Sequence, residues 1–280
     1  MNPNQTPMQP KRMMLTFITR MRTIGSTITE GARQWIFPQT CVMCGRLRTE
    51  AASMGGTHGL LCPLCESKGF DLAGPLDRVL PQGLQSVQAG FPFVRDGPLQ
   101  EMLHALKYQI RPDVGEQLGR MLAIHRMASW LEDCNFEASQ CLLIPVPIHW
   151  RRRIGRGYNQ SEAIARGIQT VLPELEILPR GVFIRRRATR TQTKFSEEKR
   201  ARNIRGAIAV SQRARLSQRL NILAANRPMW ILVDDVFTSG ATLFECSSVL
   251  QRWVNRTENV AQDRVPTMHA WVVANAEDGM

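Results

Sequence analysis

The sequence lacks any long apolar run, and this shortage excludes a membrane-spanning protein. No stretch approaches the roughly 18 consecutive apolar residues that a transmembrane helix needs. The N-terminal patch MMLTFI is short and is followed by Arg20 and Arg22, which is not the pattern of a secretory signal. With 43% apolar and 21% charged residues, the composition is that of an ordinary soluble protein. A cytoplasmic location is therefore expected.

The sequence is also short of acidic residues and of tyrosine. Its 24 acidic residues face 36 basic ones, which gives a net charge of +12 at pH 7. Arginines cluster within residues 151–156 and 185–190, and such clustering predicts an anionic partner, either a phosphorylated sugar or a nucleic acid. The 2 tyrosines and 6 tryptophans form no obvious row on which single-stranded DNA could stack. Trp150, beside Arg151, is the best candidate for stacking, or else a buried side chain.

Four of the 7 cysteines form two C-x-x-C pairs, with 17 residues between the pairs. In a cytoplasmic chain this pattern indicates metal ligation rather than disulfide bonds. Each pair directs two thiolates to one side, and two pairs complete a tetrahedral four-cysteine site of the zinc-ribbon type. The sequence therefore predicts one structural Zn²⁺ ion held by Cys41, Cys44, Cys62 and Cys65.

The chain divides by composition into four parts. Residues 1–35 hold a polar tail and a basic amphipathic helix, which either packs on the protein or lies on a membrane. Residues 36–70 form the predicted zinc ribbon, and residues 71–83, with glycine and proline, form a linker. Residues 84–280 alternate strand and helix patterns, which predicts an α/β domain with a mainly parallel sheet flanked by helices. One of these helices is predicted over residues 114–131, with Ile124 turned inward.

The most informative stretch is WILVDDVFTSGATL, residues 230–243. The apolar residues 229–233 predict a buried strand, which would put Asp234 and Asp235 at its carboxyl end, where open α/β sheets bind ligands. A helix pattern begins in the small-residue loop that follows, and free N–H groups at a helix start favour a phosphate. Paired carboxylates beside a phosphate cradle suit ribose 5-phosphate; the alternative is that Asp235 only caps a helix. The predicted loop contacts are Thr238, Ser239, Gly240, Ala241 and Thr242.

This segment resembles the signature of type I phosphoribosyltransferases, whose substrate is phosphoribosyl pyrophosphate (PRPP). It is not a Walker loop, since no Lys-Ser or Lys-Thr follows a Gly-x-x-x-x-Gly here. The resemblance implies that Asp234 and Asp235 hold the ribose hydroxyls and that Mg²⁺ accompanies PRPP. Because the pair is expected to face a solvent-filled cleft, its replacement by Asn is expected to change stability little.

Three further segments narrow the resemblance. They are LHALKY (residues 103–108), IPVPIHWRRRIGRGYNQSEAIA (residues 144–165) and TRTQTKFSEEKRARNIRGAI (residues 189–208). With the aspartate loop and the four cysteines, they are similar to the ComF family of phosphoribosyltransferase-like proteins of bacterial competence and DNA utilisation. Residues 36–275 show these features in the same order. Two departures, Ile208 in place of an aromatic residue and Phe195 in place of Leu, leave the chemistry untouched.

The ComF resemblance implies a type I phosphoribosyltransferase-like fold and gives roles to the clustered basic residues. The arginine-rich loop after the strand that ends at Val146 can meet a pyrophosphate, because arginine offers permanently charged bidentate donors. Residues 185–202 resemble a flexible lid that closes over PRPP; the rival interpretation is that this lid binds a nucleic-acid backbone. The candidate residues for contact with PRPP are Arg152, Arg153, Arg156, Lys194 and Arg200.

Two functions remain open at this point. The first is a PRPP- and Mg²⁺-binding protein of DNA uptake, competence or DNA utilisation, with single-stranded DNA and uptake or recombination proteins as partners. The second is an active phosphoribosyltransferase of nucleotide metabolism, which transfers ribose 5-phosphate to an unidentified acceptor. In that enzyme Asp234 and Asp235 would offset positive charge at the anomeric carbon. The sequence identifies no acceptor pocket.

Overall fold

The fold is described from a computed structural model of the protein. It covers residues 41, 42, 44, 46, 60, 62–66, 80, 83–93, 95–188, 202–256 and 266–276. The predicted amphipathic helix within residues 1–35 and most of the predicted linker lie outside these described residues. Lys194 and Arg200 of the predicted lid lie outside them as well.

In the part of the chain that the structure describes, seven strands make up two sheets. The strands are β1 (Ser86–Pro92), β2 (Cys141–Pro145), β3 (Glu176–Ile177), β4 (Phe183–Arg185), β5 (Ile208–Val210), β6 (Met229–Phe237) and β7 (Thr267–Asn275). Five of them form one sheet with the order β1-β7-β6-β2-β3, and every neighbouring pair in it is parallel. The other two, β4 and β5, pair with each other antiparallel.

Eight α-helices lie within the described residues; the first precedes the strands and the other seven lie between them along the chain. They are α1 (Pro63–Glu66), α2 (Pro98–Tyr108), α3 (Pro112–Leu122), α4 (Ala128–Asp133), α5 (Trp150–Arg156), α6 (Gln160–Val171), α7 (Ala214–Asn226) and α8 (Ala241–Val254). A π-helical turn, Ala123–Met127, joins α3 to α4. Both α2 and α3 begin with a proline, whose fixed φ suits the first helical turn and whose missing N–H is not needed there.

The five-stranded sheet is buried on both faces, as a parallel sheet covered by crossover helices must be. On one face Leu143, Ile231 and Trp271 belong to a core that includes the apolar sides of α2, α3 and α6. On the other face Ile144 and Trp230 belong to a second core, shared with α7, α8 and the β4-β5 pair. All five residues of β2 and the first five of β6 are therefore buried.

Close packing of α3 on α6 fixes the start of α6. A methyl group on Gly119 of α3 would lie 2.0 Å from the carbonyl oxygen of Ile164, and one on Gly167 of α6 would lie 1.9 Å from that of Glu116. Only glycine permits this approach of the two helix backbones. The amino end of α6 is thereby held against the edge of the sheet where the predicted ligand site lies.

The predicted parallel sheet with flanking helices is confirmed, but two local predictions are wrong. Strand β6 does not end at Val233; it continues to Phe237 because β7 runs beside it as far as Asn275. Ile124 does not turn inward and is 51% exposed. It lies in the π-helical turn, which adds a residue to the helical repeat and shifts the face that a straight 3.6-residue periodicity predicts.

The helices α5 and α7 and the short strands β3 and β5 are elements that the sequence patterns did not indicate. In α5, WRRRIGR has no periodic apolar face, and none of its side chains is fully buried, although Arg152, Arg153 and Arg156 are partly shielded. Within the described part of the chain, no helix combines the length and the apolar character needed to cross a bilayer.

Candidate functional site

The topology creates a crevice at the carboxyl ends of β2 and β6. These strands are neighbours, but the chain leaves β2 for β3 on one side and leaves β6 for β7 on the other. A reversal of this kind opens a space between the two connections, where α/β proteins bind ligands. Strand β2 stops at Pro145, opposite Val233, so Asp234 and Asp235 extend past it into this crevice.

Asp234 is half-buried and carries a strongly perturbed carboxyl group. The Ser161 hydroxyl, at the start of α6, donates to its Oδ1 over 3.0 Å, and the backbone N–H of Asp235 donates to the same oxygen over 2.9 Å. Burial, with the neighbouring charge of Asp235, nevertheless raises the pKa of Asp234 to about 7. Nearby Lys107 opposes this rise only in part.

Asp235 forms an ion pair that links β6 to the carboxyl end of α2. The Lys107 ammonium lies 3.2 Å from its Oδ2, and both side chains are partly shielded from solvent. Because successive residues of a strand point to opposite sides, the two adjacent aspartates can have different partners. The ion pair shows that one carboxylate of the crevice already binds a positively charged side chain.

Two arginines contribute positive charge to the same crevice. Burial lowers the pKa of Arg152, on α5, and of Arg185, at the end of β4, and repulsion from Arg152 lowers that of Arg185 further. Asp235 opposes the shift at Arg152, and Asp234 opposes it at Arg185. We call this group of Lys107, Arg152, Ser161, Arg185, Asp234 and Asp235 the carboxylate cleft.

The loop after β6 leads directly into a helix, as the sequence predicted. Gly240 has a φ of 67°, in the left-handed region that favours glycine, and α8 begins at Ala241 directly after it. No side chain caps this helix start. The hydroxyls of Thr238, Ser239 and Thr242 are half-buried, and within the described residues none of the three makes a hydrogen bond. Donors therefore remain available at the amino end of α8.

The R-G-Y-N-Q segment fixes the opposite wall of the cleft. Asn159 caps α6: its side-chain oxygen accepts from the Ser161 N–H, and its amide donates to the Val146 carbonyl over 3.0 Å. The buried Tyr158 hydroxyl donates to the carbonyl of Leu106 in α2. These bonds tie the ends of β2, α2 and α6 together, and so place Ser161 against Asp234.

The predicted basic candidates separate into different environments. Arg152 lies in the carboxylate cleft, as described. Arg153 instead lies 3.7 Å from the carboxylate of Glu162, and the guanidinium carbon of Arg156 lies 5.9 Å from the ring centre of Tyr108. Among the predicted arginines, Arg152 is thus the one whose lowered pKa is opposed by an aspartate of the pair, Asp235.

The base of the predicted lid is held by internal hydrogen bonds. The Arg187 guanidinium donates to the carbonyls of Asn203 and Arg205 over 3.1 and 2.9 Å. The Gly206 N–H donates to the buried carboxylate of Glu245, on α8, over 2.8 Å. Arg187 thus stabilises the chain on either side of the predicted lid, and α8 holds the segment that leads into β5.

The four cysteines converge as predicted. Their Sγ atoms all lie within 4.8 Å of one another, and those of Cys44 and Cys62 are 3.7 Å apart. A tetrahedral site with metal–sulfur bonds of about 2.3 Å needs sulfur separations of about 3.8 Å, so the group fits a metal such as zinc. Burial and contact with the other thiols raise the pKa of Cys65 to about 12, and a bound cation would offset this cost of thiolate formation.

Three residues of the carboxylate cleft were missed as site residues in the sequence. Lys107 and Ser161 stand in segments that carry the family resemblance, LHALKY and RGYNQS, and Arg185 belongs to a noted charge cluster. These signals marked the segments without saying which side chain would reach the aspartates. That information depends on the packing of α2, α6 and β4 around β6.

Comparisons with known proteins agree with the motifs. The chain is 28% identical over 225 residues to the DNA utilization protein YhgH of Escherichia coli K12, covering 76% of this chain and 84% of that protein. It is 27% identical over 217 residues to the Salmonella typhimurium protein of the same name, with the same coverage. It is 29% identical over 160 residues to Competence protein F of Haemophilus influenzae, covering 55% of this chain and 62% of that protein. No family model and no solved structure matches the chain.

Proposed function

The chain is a member of the ComF family, and from this premise we propose that it binds PRPP with Mg²⁺ in the carboxylate cleft and acts in DNA uptake, competence or DNA utilisation. The observation that carries the proposal is the meeting of the aspartate pair with the Gly240 turn at one end of β6. The names of the relatives, which refer to DNA utilisation and competence, support the cellular role.

Each part of PRPP has complementary groups in and around the cleft. The carboxylates of Asp234 and Asp235 accept hydrogen bonds from vicinal ribose hydroxyls. The 5-phosphate fits the amino end of α8, where backbone N–H groups and the loop hydroxyls converge. Arg152 and Arg185 supply the positive charge that a pyrophosphate group requires.

The aspartate pair also fits a divalent cation. Carboxylate oxygens are the donors that Mg²⁺ prefers, and Mg²⁺ is commonly held by one or two carboxylates together with substrate phosphates. When bound, Mg²⁺ supplies charge neutralisation between the carboxylates and the pyrophosphate. The Lys107 ammonium already lies at Asp235, so it must yield or share this carboxylate when a cation arrives.

For the four-cysteine cluster we propose Zn²⁺ in a structural role. A set of four thiolates leaves no open position for a substrate, which is the arrangement of structural rather than catalytic zinc. Cys41, Cys62 and Cys65 are buried in the same core as α2, α3 and α6. The metal would therefore join this N-terminal segment to the α/β core.

A second candidate is phosphoribosyl transfer to an unidentified acceptor. The observation in its favour is that the carboxylates and the cleft arginines carry opposite charges. The carboxylates can offset positive charge at an anomeric carbon, and the arginines can neutralise a departing pyrophosphate. Glycosidic bond formation in the presence of PRPP and a nucleobase would establish this activity.

The surface of α5 supports contact with a nucleic-acid strand. Four of its seven residues are arginines, and none is acidic. Trp150 is 56% exposed with the Arg151 guanidinium 5.3 Å from its ring centre, and Tyr108 is 66% exposed beside Arg156. Exposed rings next to arginines are the combination that binds single strands without sequence preference.

The PRPP proposal is tested by calorimetry on the protein with Mg²⁺ and on Asp235→Asn. Loss of the charged acceptor is expected to weaken PRPP binding by about ten- to hundredfold. Asp133→Asn is the matched control, because Asp133 is exposed at the end of α4, before the amino end of β2. A wild-type protein that does not bind PRPP at millimolar concentration would refute the proposal.

The nucleic-acid proposal is tested with a labelled oligothymidylate. Tyr108→Ala is expected to weaken binding by about 1–3 kcal/mol if a base stacks on this ring. Arg151→Ala is expected to reduce the salt dependence of binding by about one phosphate contact. Ile222→Ala, an exposed apolar position on α7, is the control. Unchanged affinity and salt slope in both test variants would exclude the surface formed by α5 and Tyr108 as the contact surface.

A further inference from the structure

The turn between α2 and α3 contains a backbone conformation that is unusual for its residue. Ile110 has a φ of 52°, in the left-handed region that β-branched side chains avoid because their Cβ substituents crowd the backbone. The described part of the chain has two other non-glycine residues with positive φ, Asp96 and Asn135. Both are of types that adopt this conformation more readily, so Ile110 is the outlier of the three.

The elements on either side hold Ile110 in this conformation. Helix α2 is capped by Gln109, and Ile110 occupies the next position, where helices commonly place a glycine. Pro112 starts α3, and a proline disfavours helical geometry in the residue before it, so α2 cannot continue into α3. The connection between the two helices is therefore confined to residues 109–111.

Burial of the side chain does not offset the strain. Ile110 is 60% exposed. Its Cγ2 lies against the backbone of Gly157, directly after α5, where an added methyl group would be 3.3 Å from it. An isoleucine that served stability would be buried, because removal of apolar surface from water is what such a side chain contributes. An exposed residue that its surroundings hold in a strained conformation indicates a binding role.

Cationic and aromatic groups lie next to this side chain. Gly157 adjoins Arg156, whose guanidinium carbon is 5.9 Å from the ring centre of Tyr108. The Tyr108 ring is 66% exposed, and its other neighbour is the His104 ring, 4.9 Å away between centres. An arginine beside an exposed ring matches the phosphates and bases of a nucleic-acid strand. An exposed apolar side chain beside them matches the wedges that proteins insert between neighbouring bases.

We propose that Ile110 is a wedge that enters between two neighbouring bases of a bound single strand and unstacks them. The β-branched side chain has few rotamers and the short turn holds it outward, so little conformational freedom is lost when a strand binds. The inference rests on the proposed contact of α5 and Tyr108 with a nucleic-acid strand. It goes beyond that contact because it assigns a change in the strand, which is held with one base step open.

The test uses the full chain and a short oligodeoxyadenylate, since stacked adenines give a circular dichroism signal that is lost when they separate. Binding is followed by anisotropy of the same strand with a fluorescent label. Saturating wild-type protein is expected to remove the signal of about one base step per bound chain. Ile110→Gly and Ile110→Asn, which both suit a left-handed backbone, should leave the signal intact. They should bind within about threefold of the wild type, because phosphate contacts supply most of the affinity.

Ile154→Ala is the matched control. Ile154 is the same type of residue and is 75% exposed, but it lies within α5 and not in a strained turn. This variant should unstack the strand as the wild type does. A thermal melt tests whether Ile110 is instead a packing residue. Ile110→Gly should melt between the wild-type temperature and about 4 °C above it, because glycine relieves the backbone strain.

The outcomes separate the wedge from the contact on which it rests. Retained binding without unstacking in both Ile110 variants supports the wedge. A wild-type complex whose adenines stay stacked overturns the wedge and leaves the strand contact intact, whereas a wild type that does not bind the strand overturns both. The wedge is also overturned if Ile154→Ala loses the unstacking equally, or if both Ile110 variants melt more than about 4 °C below the wild type.

Discussion

Replacing Asp234 with Asn is expected to stabilise the protein at pH 8 and to leave its stability nearly unchanged at pH 5. The carboxyl of Asp234 has an ordinary pKa of 3.8, which burial and Asp235 raise to about 7 in the fold. A raised pKa means that the folded protein holds the proton more tightly than the unfolded chain. The stabilisation from this proton is complete below pH 4 and is lost progressively as the pH rises to about 7.

The size of this stability change follows from the difference between the two pKa values of Asp234. At about 1.4 kcal/mol for each pH unit, the ionised Asp234 costs at most about 4 kcal/mol above pH 7. Asn keeps an oxygen that can accept from Ser161 and from the Asp235 N–H, but it gives up about 1 kcal/mol of charge-assisted hydrogen bonding. Between pH 5 and pH 8, the free energy of unfolding of Asp234→Asn relative to the wild type should therefore rise by about 1–3 kcal/mol. This replaces the small change expected for a pair that faces a solvent-filled cleft, because burial makes the ionisation of Asp234 costly.

Urea unfolding at pH 5, 6, 7 and 8 measures this difference directly. Ser161→Ala removes a donor that favours the ionised carboxylate, so this variant should lose stability at pH 8 and change little at pH 5. Asp133→Asn, at an exposed site, should run parallel to the wild type across the series. The reasoning is refuted if Asp234→Asn and the wild type also have parallel stability curves between pH 5 and pH 8.

Two further predictions concern metal ions. The double variant Cys62→Ser, Cys65→Ser should lose its bound zinc and melt at a lower temperature, because both thiols lie in the core that α2 and α3 share; elemental analysis showing wild-type zinc would contradict this. Lys107→Met removes the ammonium that pairs with Asp235, so Mg²⁺ without PRPP should bind about two- to fivefold more tightly by calorimetry. An equal or weaker Mg²⁺ affinity in this variant would show that Lys107 does not compete with the cation.

The parts of the fold that the sequence predicted are those that depend on neighbouring residues. The convergence of the two C-x-x-C pairs and the start of α8 within the small-residue loop after β6 follow from local spacing and turn chemistry, and the structure has both. The predicted end of β6 was wrong because the length of this strand depends on β7, which is distant in sequence and pairs with β6 as far as Asn275. Ile124 was misplaced because a π-helical turn has no periodic signature.

In the candidate site as well, local sequence patterns identified some residues, and tertiary packing determines the others. Asp234 and Asp235 could be identified because they are adjacent on one strand, whereas their partners Lys107 and Ser161 come from other helices. Arg153 has the same side chain as Arg152 and adjoins it in sequence, yet it pairs with Glu162. Residue type and clustering therefore indicated which chemistry to expect, and only tertiary packing distinguishes one arginine from the next.

The raised pKa of Asp234 also connects the stability of the cleft with its capacity to bind. Ionised Asp234 is disfavoured by burial and by Asp235, and Lys107 and the Ser161 hydroxyl relieve this only in part. Any ligand that brings a cation or hydrogen-bond donors to the pair favours the ionised form, so part of the folding cost is recovered as binding free energy. A cleft with no such cost would be more stable without a ligand and would gain less from binding one. The partial neutralisation by Lys107 thus leaves the pair sufficiently stable for folding and still able to attract a cation.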